Sequence, residues 1–324
     1  MLDLFCIGES QRDIFYFLQE ANVHCQLNTD RCELCLPYAD KIPVETVVKV
    51  PAAGNSANAA VAAQRLGCKT GIMTWIGTDR AGEHLHHALR EEKIDLTHVH
   101  RDKLRPTSES TILVFQGEKT QLVHFQPHHY QFTRPPSARG LYYSAMGTIS
   151  KSFDRQLVHY LETQSKQFFT FQPGTTHLRA GLSAMDRLIE RSNLLVLNLE
   201  EARLVLGQPT ADMFLCLDRL QRVGGKTIVI TDGKNGAWAH TDQEQWFCPV
   251  FPVKPKEATG AGDAFAATLT VALLQEKPLD EALRMATAQS ASVIQHIGPQ
   301  QGLLKMDALK KVMSKFSKIR PTRI

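Results

Sequence analysis

A run of small residues near position 260 combines the features of an anion-binding turn with a carboxylate. The run Glu257-Ala258-Thr259-Gly260-Ala261-Gly262-Asp263 leads directly into an apolar stretch that predicts a long helix. Glycines allow several backbone N–H groups to point to one side, and the unpaired N–H groups at a helix N-terminus attract an anion. Asp263, in the first helical turn, is then either a helix cap or a proton acceptor beside a bound phosphate. The residues alone leave both interpretations open.

A second turn of small residues precedes the helix predicted over residues 55–66. Gly54 stands at the turn, and Asn58 lies in the first turns of a helix made mostly of alanine. The alanines permit close packing of this helix against a sheet. The amide of Asn58 carries two N–H donors and one acceptor, and its neighbours in sequence offer few partners. A hydroxyl group of a ligand would satisfy it.

The elements that must position these residues alternate along the chain. Short β-rich runs separate helical patterns, and the runs at 2–7, 194–197 and 226–230 are largely apolar, as in strands buried on both faces of a parallel sheet. This alternation predicts a three-layer α/β sandwich with a central, mostly parallel sheet. Residues 1–324 are expected to form a single domain. Segments of about 10–50 and 107–132 have β-like patches without a convincing helix, and we interpret them as a small discontinuous β-sheet that covers part of this domain.

Composition excludes several classes of function. The chain has 37 Lys and Arg against 33 Asp and Glu, a net charge of +4. The excess lies in residues 305–324, which argues against a nucleic-acid-binding face. No apolar run is long enough for a membrane helix, and the first nine residues lack the basic region of a signal peptide. We therefore expect no nucleic-acid partner, no membrane contact and a cytoplasmic location.

Cysteine usage agrees with a reducing compartment. The seven cysteines are an odd number scattered along the chain, so no disulfide framework is expected. The spacing Cys32-x-x-Cys35 invites a zinc interpretation, but no second pair follows at metal-binding spacing. Packing within the small β-sheet is the preferred interpretation of this pair.

The two small-residue motifs, in this order and about 200 residues apart, resemble those of the PfkB/ribokinase family of carbohydrate kinases. The resemblance covers essentially the whole chain. Its further matches are Gly8-Glu9 with Asp13, Gly77-Thr78-Asp79-Arg80-Ala81-Gly82, Asn198-Leu199-Glu200-Glu201-Ala202, Thr231-Asp232-Gly233-Lys234-Asn235-Gly236-Ala237 and Gly298. The resemblance implies a ribokinase-like sandwich with a β-sheet lid. It also implies an ATP-dependent transfer of the γ-phosphate to a hydroxyl group, primary by preference, of a sugar.

The resemblance also implies roles for individual residues. Asp263 corresponds to the catalytic base, and the N–H groups of Gly260, Ala261 and Gly262 correspond to the anion hole. The remaining matches fall into three groups: Asp13, Gly54 and Asn58 for the sugar hydroxyls; Asn198 and Glu201 for the Mg²⁺–phosphate arrangement, with Glu201 acting on Mg²⁺ through water; and Thr231, Gly233 and Gly236 for the nucleotide.

Two departures and two alternatives accompany the resemblance. Ala53 replaces a frequent glycine and adds a methyl group near the sugar pocket, and Glu257 replaces a frequent aspartate of a monovalent-cation site, so activation by K⁺ is not implied.

A nucleoside kinase would use the same base and anion hole, with aromatic lid residues stacked on a nucleobase; the candidates are Phe15, Tyr16, Phe17 and Tyr38. A non-catalytic sugar or nucleotide sensor is the other alternative. In relatives the lid often supplies a dimer interface, so a homodimer is also expected.

Overall fold

The computed structural model describes residues 1–25, 32–164 and 166–324. Its strands are β1 Leu2–Ile7, β2 Gln11–Leu18, β3 Asn22–Cys25, β4 Cys32–Cys35, β5 Val44–Ala53, β6 Thr70–Gly77, β7 Asp95–Asp102, β8 Glu109–Phe115, β9 Glu118–His124, β10 Ala138–Tyr143, β11 Phe168–Phe171, β12 Leu194–Asn198, β13 Thr227–Thr231, β14 Ala237–Thr241, β15 Gln245–Cys248 and β16 Thr322–Arg323. Its α-helices are α1 Asn55–Arg65, α2 Arg80–Glu91, α3 Lys151–Thr163, α4 Thr175–Ala180, α5 Asp186–Arg191, α6 Leu199–Leu206, α7 Met213–Val223, α8 Ala261–Leu274, α9 Leu279–Val293 and α10 Met306–Lys315.

The large sheet has ten strands in the order β16-β15-β14-β13-β12-β11-β10-β1-β6-β7. The seven strands from β13 to β7 are parallel, and β14, β15 and β16 add an antiparallel edge. Strand β1 is central, and its side chains alternate between the two faces. Leu4 and Cys6 belong to one buried apolar cluster, whereas Phe5 and Ile7 belong to the other. The predicted mostly parallel sheet is confirmed.

Helices cover both faces of the large sheet. The cluster on one face includes apolar residues of α1, α2, α8, α9 and α10, and the cluster on the other includes residues of α3, α5, α6 and α7. Helix α8 is buried almost all round from Asp263 to Leu274, as expected of a helix that is apolar on every side. The three-layer arrangement follows from these two apolar faces.

A separate four-stranded sheet has the order β5-β2-β8-β9, with a two-stranded β3–β4 pair beside it in the chain. Strand β2 pairs antiparallel with β5 and parallel with β8. Phe15, Ile112 and Val114 form its small apolar core. The outer strand β9 is exposed at every position. We call these four strands the small sheet.

The structure adds elements that the sequence patterns did not reveal. These are β7, β14 to β16, and the short helices α4 and α6. A disulfide joins Cys25 to Cys32, residues that lie opposite each other on β3 and β4. The expectation of no disulfide is therefore wrong for Cys25 and Cys32, because pairing depends on which residues face each other across strands and a cysteine count does not show this. None of the described helices is both long and apolar enough to span a lipid bilayer.

Candidate functional site

The candidate residues gather beyond the carboxyl ends of the parallel strands, where ligands bind in α/β proteins. Asp13 lies shortly after β1, Gln172 follows β11, and Asn198 ends β12. Helices α1 and α8 begin at the same edge, with Asn58 and Asp263 in their first turns. Residues more than 200 positions apart in sequence therefore meet at one site.

Asp263 is held by three amide side chains. Asn55 Nδ2 donates to Asp263 Oδ1 at 2.8 Å, and Asn58 Nδ2 donates to Oδ2 at 2.8 Å. Gln172 Nε2 donates to Oδ1 at 3.4 Å. Both carboxylate oxygens therefore have donors, and the orientation of the carboxylate is fixed from one helix, α1, and from the end of strand β11.

Burial is the main influence on the proton affinity of Asp263, which is 7% exposed. Removal from water raises the pKa of this carboxyl group above its ordinary value, and the hydrogen bonds from Asn58, Asn55 and Gln172 act in the opposite direction. The ammonium of Lys119 also lowers its pKa. A carboxylate with a raised pKa and a fixed orientation is suited to accept a proton from a hydroxyl group.

The turn before α8 is open on one side. Gly260 has a φ of 77°, and a side chain there would meet Pro299 Cβ at 2.3 Å, so only glycine fits. Gly262 is exposed, and a Cβ there would meet only Gln172 Nε2, at 3.8 Å. The Ala261 N–H donates to the Ala258 carbonyl at 3.3 Å. No described group accepts from the N–H groups of Gly262 and Asp263, which remain available to an anion.

Asn58 is more constrained than its sequence neighbours indicated. Besides donating to Asp263, it accepts at Oδ1 from Gln300 Nε2 at 3.0 Å. Gln300 also donates to the Ala52 carbonyl at 2.7 Å. As expected, the sequence neighbours of Asn58 supply no partner for its amide, and the partners come instead from distant segments of the chain. A contact of Asn58 with a ligand stays a prediction.

Asp13 and Gly54 lie beside this cluster. Gln11 Nε2 donates to Asp13 Oδ1 at 2.7 Å, and burial raises the pKa of Asp13 to about 7. The charges of Asp263 and Glu257 also raise the pKa of Asp13, so the three carboxyl groups interact. Gly54 has a φ of 91° and approaches the Glu9 carbonyl so closely that a Cβ would lie 2.8 Å from it.

Asn198 and Glu201 bind each other. The Asn198 N–H donates to Glu201 Oε2 and the Glu201 N–H donates to Asn198 Oδ1, both at 2.8 Å, which forms a capping box for α6. Burial raises the pKa of Glu201, and the charge of Asp263 contributes in the same direction. The pair therefore has a structural role in addition to the Mg²⁺ role that the resemblance implies, and the latter stays a prediction.

The predicted nucleotide residues lie at the junction of β13 and β14. Thr231 ends β13, and a short 3₁₀ turn at Gly233–Asn235 leads into β14. Gly233 is exposed and Gly236 is buried. These three residues share the sheet edge with Asn198, because Asn198 and Thr231 are partners in the β12–β13 register. Their contact with a nucleotide stays a prediction.

A lysine of the small sheet contacts the turn before α8. Lys119 Nζ donates to Thr259 Oγ1 at 2.8 Å and lies 3.5 Å from Glu257 Oε1. Glu257 is 3% exposed, and it accepts from the Thr259 N–H at 2.5 Å. No sequence pattern pointed to Lys119, which lies in a polar, exposed strand.

Sequence reasoning also missed other polar residues of the site. These are Gln11, Asn55, Gln172 and Gln300. The position of Gln172, directly after an apolar strand, was the one available signal. A groove of about 790 Å³ along α3 and a cavity of about 200 Å³ between α9 and α10 carry none of the candidate residues.

Comparison with known proteins gives a consistent result. The sequence model described as "pfkB family carbohydrate kinase" matches residues 16–306. A ribokinase of Haemophilus influenzae is 25% identical over 86% of this chain and 92% of its own, and a fructokinase of Salmonella typhimurium is 26% identical over 68% and 76%. The solved structure of Arabidopsis thaliana ribokinase complexed with ribose and ATP has a TM-score of 0.79, at 18% identity over 96% of this chain and 98% of that one.

Proposed function

The chain belongs to the pfkB family of carbohydrate kinases, and on that premise we propose that it transfers the γ-phosphate of ATP to a hydroxyl group of a sugar. The observation that carries the proposal is the fixed, buried carboxylate of Asp263 beside the open turn of Gly260–Gly262. The acceptor and the roles of individual residues belong to the proposal.

Asp263 acts as the general base. The oxygen of the acceptor hydroxyl attacks the γ-phosphorus, its proton passes to the Asp263 carboxylate, and ADP leaves with the electron pair of the broken P–O bond. The hydrogen bonds from Asn55 and Asn58 keep the carboxylate in one orientation. Such fixation avoids reorganisation at the moment of transfer.

The turn before α8 stabilises the phosphoryl group. The N–H groups of Gly262 and Asp263 have no described acceptor, and they lie at the positive end of a 14-residue helix. The anion hole was expected at Gly260, Ala261 and Gly262. Because the N–H of Ala261 already donates within the turn, we propose that Gly262 contributes more than Ala261.

The nucleotide and its metal would lie along the edge formed by β12 and β13. Mg²⁺, when bound, neutralises phosphate charge and keeps several of its own waters. Glu201 would hold it through water, with Asn198 fixing the carboxylate, and Thr231, Gly233 and Gly236 would contact ATP.

The acceptor would lie between the small sheet and α1. Asp13, Gly54 and Asn58 would contact its hydroxyl groups, and Ala53 is fully buried behind Gly54. The nucleoside alternative needs an aromatic ring of the small sheet to stack on the base. Phe15 is buried in the core of that sheet, which leaves Tyr16, Phe17 and Tyr38 as the candidates for stacking.

A coupled assay of ADP formation with a panel of sugars and nucleosides tests the proposal. We expect ADP formation with at least one sugar, and a loss of about 10²-fold or more in kcat for Asp263→Asn. The affinity for ATP should stay nearly unchanged. A protein that binds a sugar or ATP but forms no ADP with any acceptor would instead be the non-catalytic sensor.

The small sheet also supports a proposed homodimer. Its outer strands expose apolar residues that a partner could cover: Val44, Val47, Leu122 and Val123. Light scattering of the purified protein would give the dimer mass, and a charged residue at position 122 would shift it to the monomer. A cytoplasmic location stays a sequence-based prediction.

A further inference from the structure

The ion pair between Lys119 and Glu257 joins the small sheet to the phosphoryl-binding turn. Lys119 belongs to β9, whereas Glu257 and Thr259 lie just before Gly260. Glu257 is almost completely buried, and its Oε1 accepts from the backbone and hydroxyl of Thr259. Among the described residues no group donates to its Oε2. A buried carboxylate needs a counter-charge, and the ammonium of Lys119 supplies it.

The same ammonium influences the carboxylates of the site. Its charge lowers the pKa of Asp13 and of Asp263, so it acts on both sides of the space between the small sheet and α8. The Lys119 side chain is 32% exposed, and its ammonium reaches from β9 to Thr259 and Glu257. If the small sheet moved away, Glu257 would lose its counter-charge and Thr259 would lose a hydrogen bond.

We infer that Lys119 is a positioning residue for phosphoryl transfer. It shapes the Thr259–Gly262 turn through Glu257, so the turn reaches its working geometry only when the small sheet is docked. This inference rests on the proposed kinase function. Lys119 is assigned no contact with the acceptor or with the transferred group.

Kinetics of Lys119→Met test the inference, with Lys49→Met as the matched control. Lys49 is an exposed lysine of β5 in the same small sheet and has no ion pair among the described residues. We expect Lys119→Met to lower kcat by about 10²-fold, the cost of a misplaced site, and Lys49→Met to change kcat little. Wild-type kcat in Lys119→Met would overturn the inference.

Charge rescue separates positioning from a general loss of structure. Ammonium or methylammonium ions can occupy the space that the lysine leaves beside Glu257, whereas tetramethylammonium is too large and controls for ionic strength. We expect ammonium to restore kcat of Lys119→Met at least tenfold. The double variant Lys119→Met/Glu257→Gln, which removes the uncompensated charge, should also exceed Lys119→Met. A low kcat that neither treatment raises would overturn the inference.

A readout independent of activity distinguishes failure of this inference from failure of the kinase function. Amide hydrogen exchange at residues 258–263 should be faster in Lys119→Met than in the wild type and in Lys49→Met. Unchanged exchange would overturn the coupling even if the enzyme phosphorylates sugars. If the wild type forms no ADP with any acceptor, the kinase function fails, and the exchange result still decides whether Lys119 orders the turn.

Discussion

Asn58 donates to Asp263 Oδ2 at 2.8 Å across 205 positions of sequence, and it accepts in turn from Gln300. The side chain that sequence analysis assigned to a ligand is therefore also one of the three amides that orient the carboxylate. The hydrogen bond favours the ionised form, because the pKa of Asp263 would be raised further by burial without it.

The first prediction concerns this hydrogen bond. Asn58→Ala removes a donor to a charged group, worth about 1.5–3 kcal/mol, so kcat should fall roughly tenfold or more at neutral pH. The acid limb of the pH–rate profile should move to higher pH, because the pKa of Asp263 rises. Asn58→Asp should move it further, since two carboxylates then repel each other.

A suitable control for these variants is Gln64→Ala. Gln64 lies in the same helix, where it accepts from the Thr70 N–H away from Asp263. Its pH–rate profile should match that of the wild type. A wild-type acid limb in Asn58→Ala would show that the amide does not govern the proton affinity of Asp263.

The second prediction links Asp13 to the stability of the fold. Burial raises the pKa of Asp13 to about 7 in the folded protein, above its value in the unfolded chain. The folded state then binds the proton more tightly, so its stability declines as the pH rises from the ordinary aspartate range of about 4 to about 7. Asn at this position cannot ionise. Asp13→Asn should therefore gain stability relative to the wild type as the pH increases.

Urea unfolding of both proteins at about pH 5 and about pH 8 measures this difference. The comparison with Asp13→Asn cancels the titration of groups that do not interact with Asp13, whereas Asp263 and Glu257 respond to the same substitution. A stability difference that does not change between these two conditions would mean that Asp13 has an ordinary pKa in the folded protein.

The third prediction separates two roles of Glu201. Glu201→Ala loses the acceptor of the Asn198 N–H and should cost about 1 kcal/mol of stability. Glu201→Gln keeps an oxygen at that place and should preserve the stability. Both variants lack the carboxylate, so both should need more Mg²⁺ for half-maximal rate if Glu201 holds the ion. Wild-type Mg²⁺ dependence in Glu201→Gln would leave Glu201 with the helix-capping role alone.

The fourth prediction compares two glycines of one turn. Gly260→Ala places a methyl group against Pro299 at a positive φ and should lower both the melting temperature and kcat. Gly262→Ala adds a methyl group in open space at a helical position, which should leave stability equal or higher by up to about 1 kcal/mol. Its kcat should nevertheless fall, because the methyl group projects where the phosphoryl group would bind.

Thermal unfolding and ADP formation, measured on both variants, decide this comparison. Full activity in Gly262→Ala would place the phosphoryl group away from this turn. That result would contradict the proposed anion hole while leaving the fold unaffected.

The sequence predicted the strands and helices whose burial produces a clear pattern of apolar residues. Leu194–Leu197 is apolar throughout because it is covered on both faces, and it forms most of β12. Strand β7, Asp95–Asp102, lies at the edge of the large sheet and is mostly polar, so its pattern does not differ from that of a loop. Helix α6 was missed as a helix, although its Asn198-x-x-Glu201 spacing is typical of a capping box.

Site residues could be predicted where a reactive side chain and the turn that positions it lie within a few residues of each other. Gly260 and Asp263 combine a turn, a helix start and a carboxylate in seven residues, so their spacing carries the signal. Lys119 could not be found in this way, and for Gln172 the sequence offered only its position after an apolar strand. Each reaches the site through the tertiary fold, and the residues around each in sequence give no sign of its distant partner.

Strand β1 continues into β2 after three residues, so a single stretch of chain passes from the large sheet into the small one. Asp13 belongs to β2 of the small sheet, whereas Asn58 and Asp263 belong to helices α1 and α8, which pack on the large sheet. A sugar that forms hydrogen bonds with Asp13 and with Asn58 or Asp263 would bridge the small sheet and these two helices. Under the proposed function, the apparent affinity for the acceptor includes the free energy of holding the small sheet against these helices, so a mutation that weakens either interaction lowers that affinity.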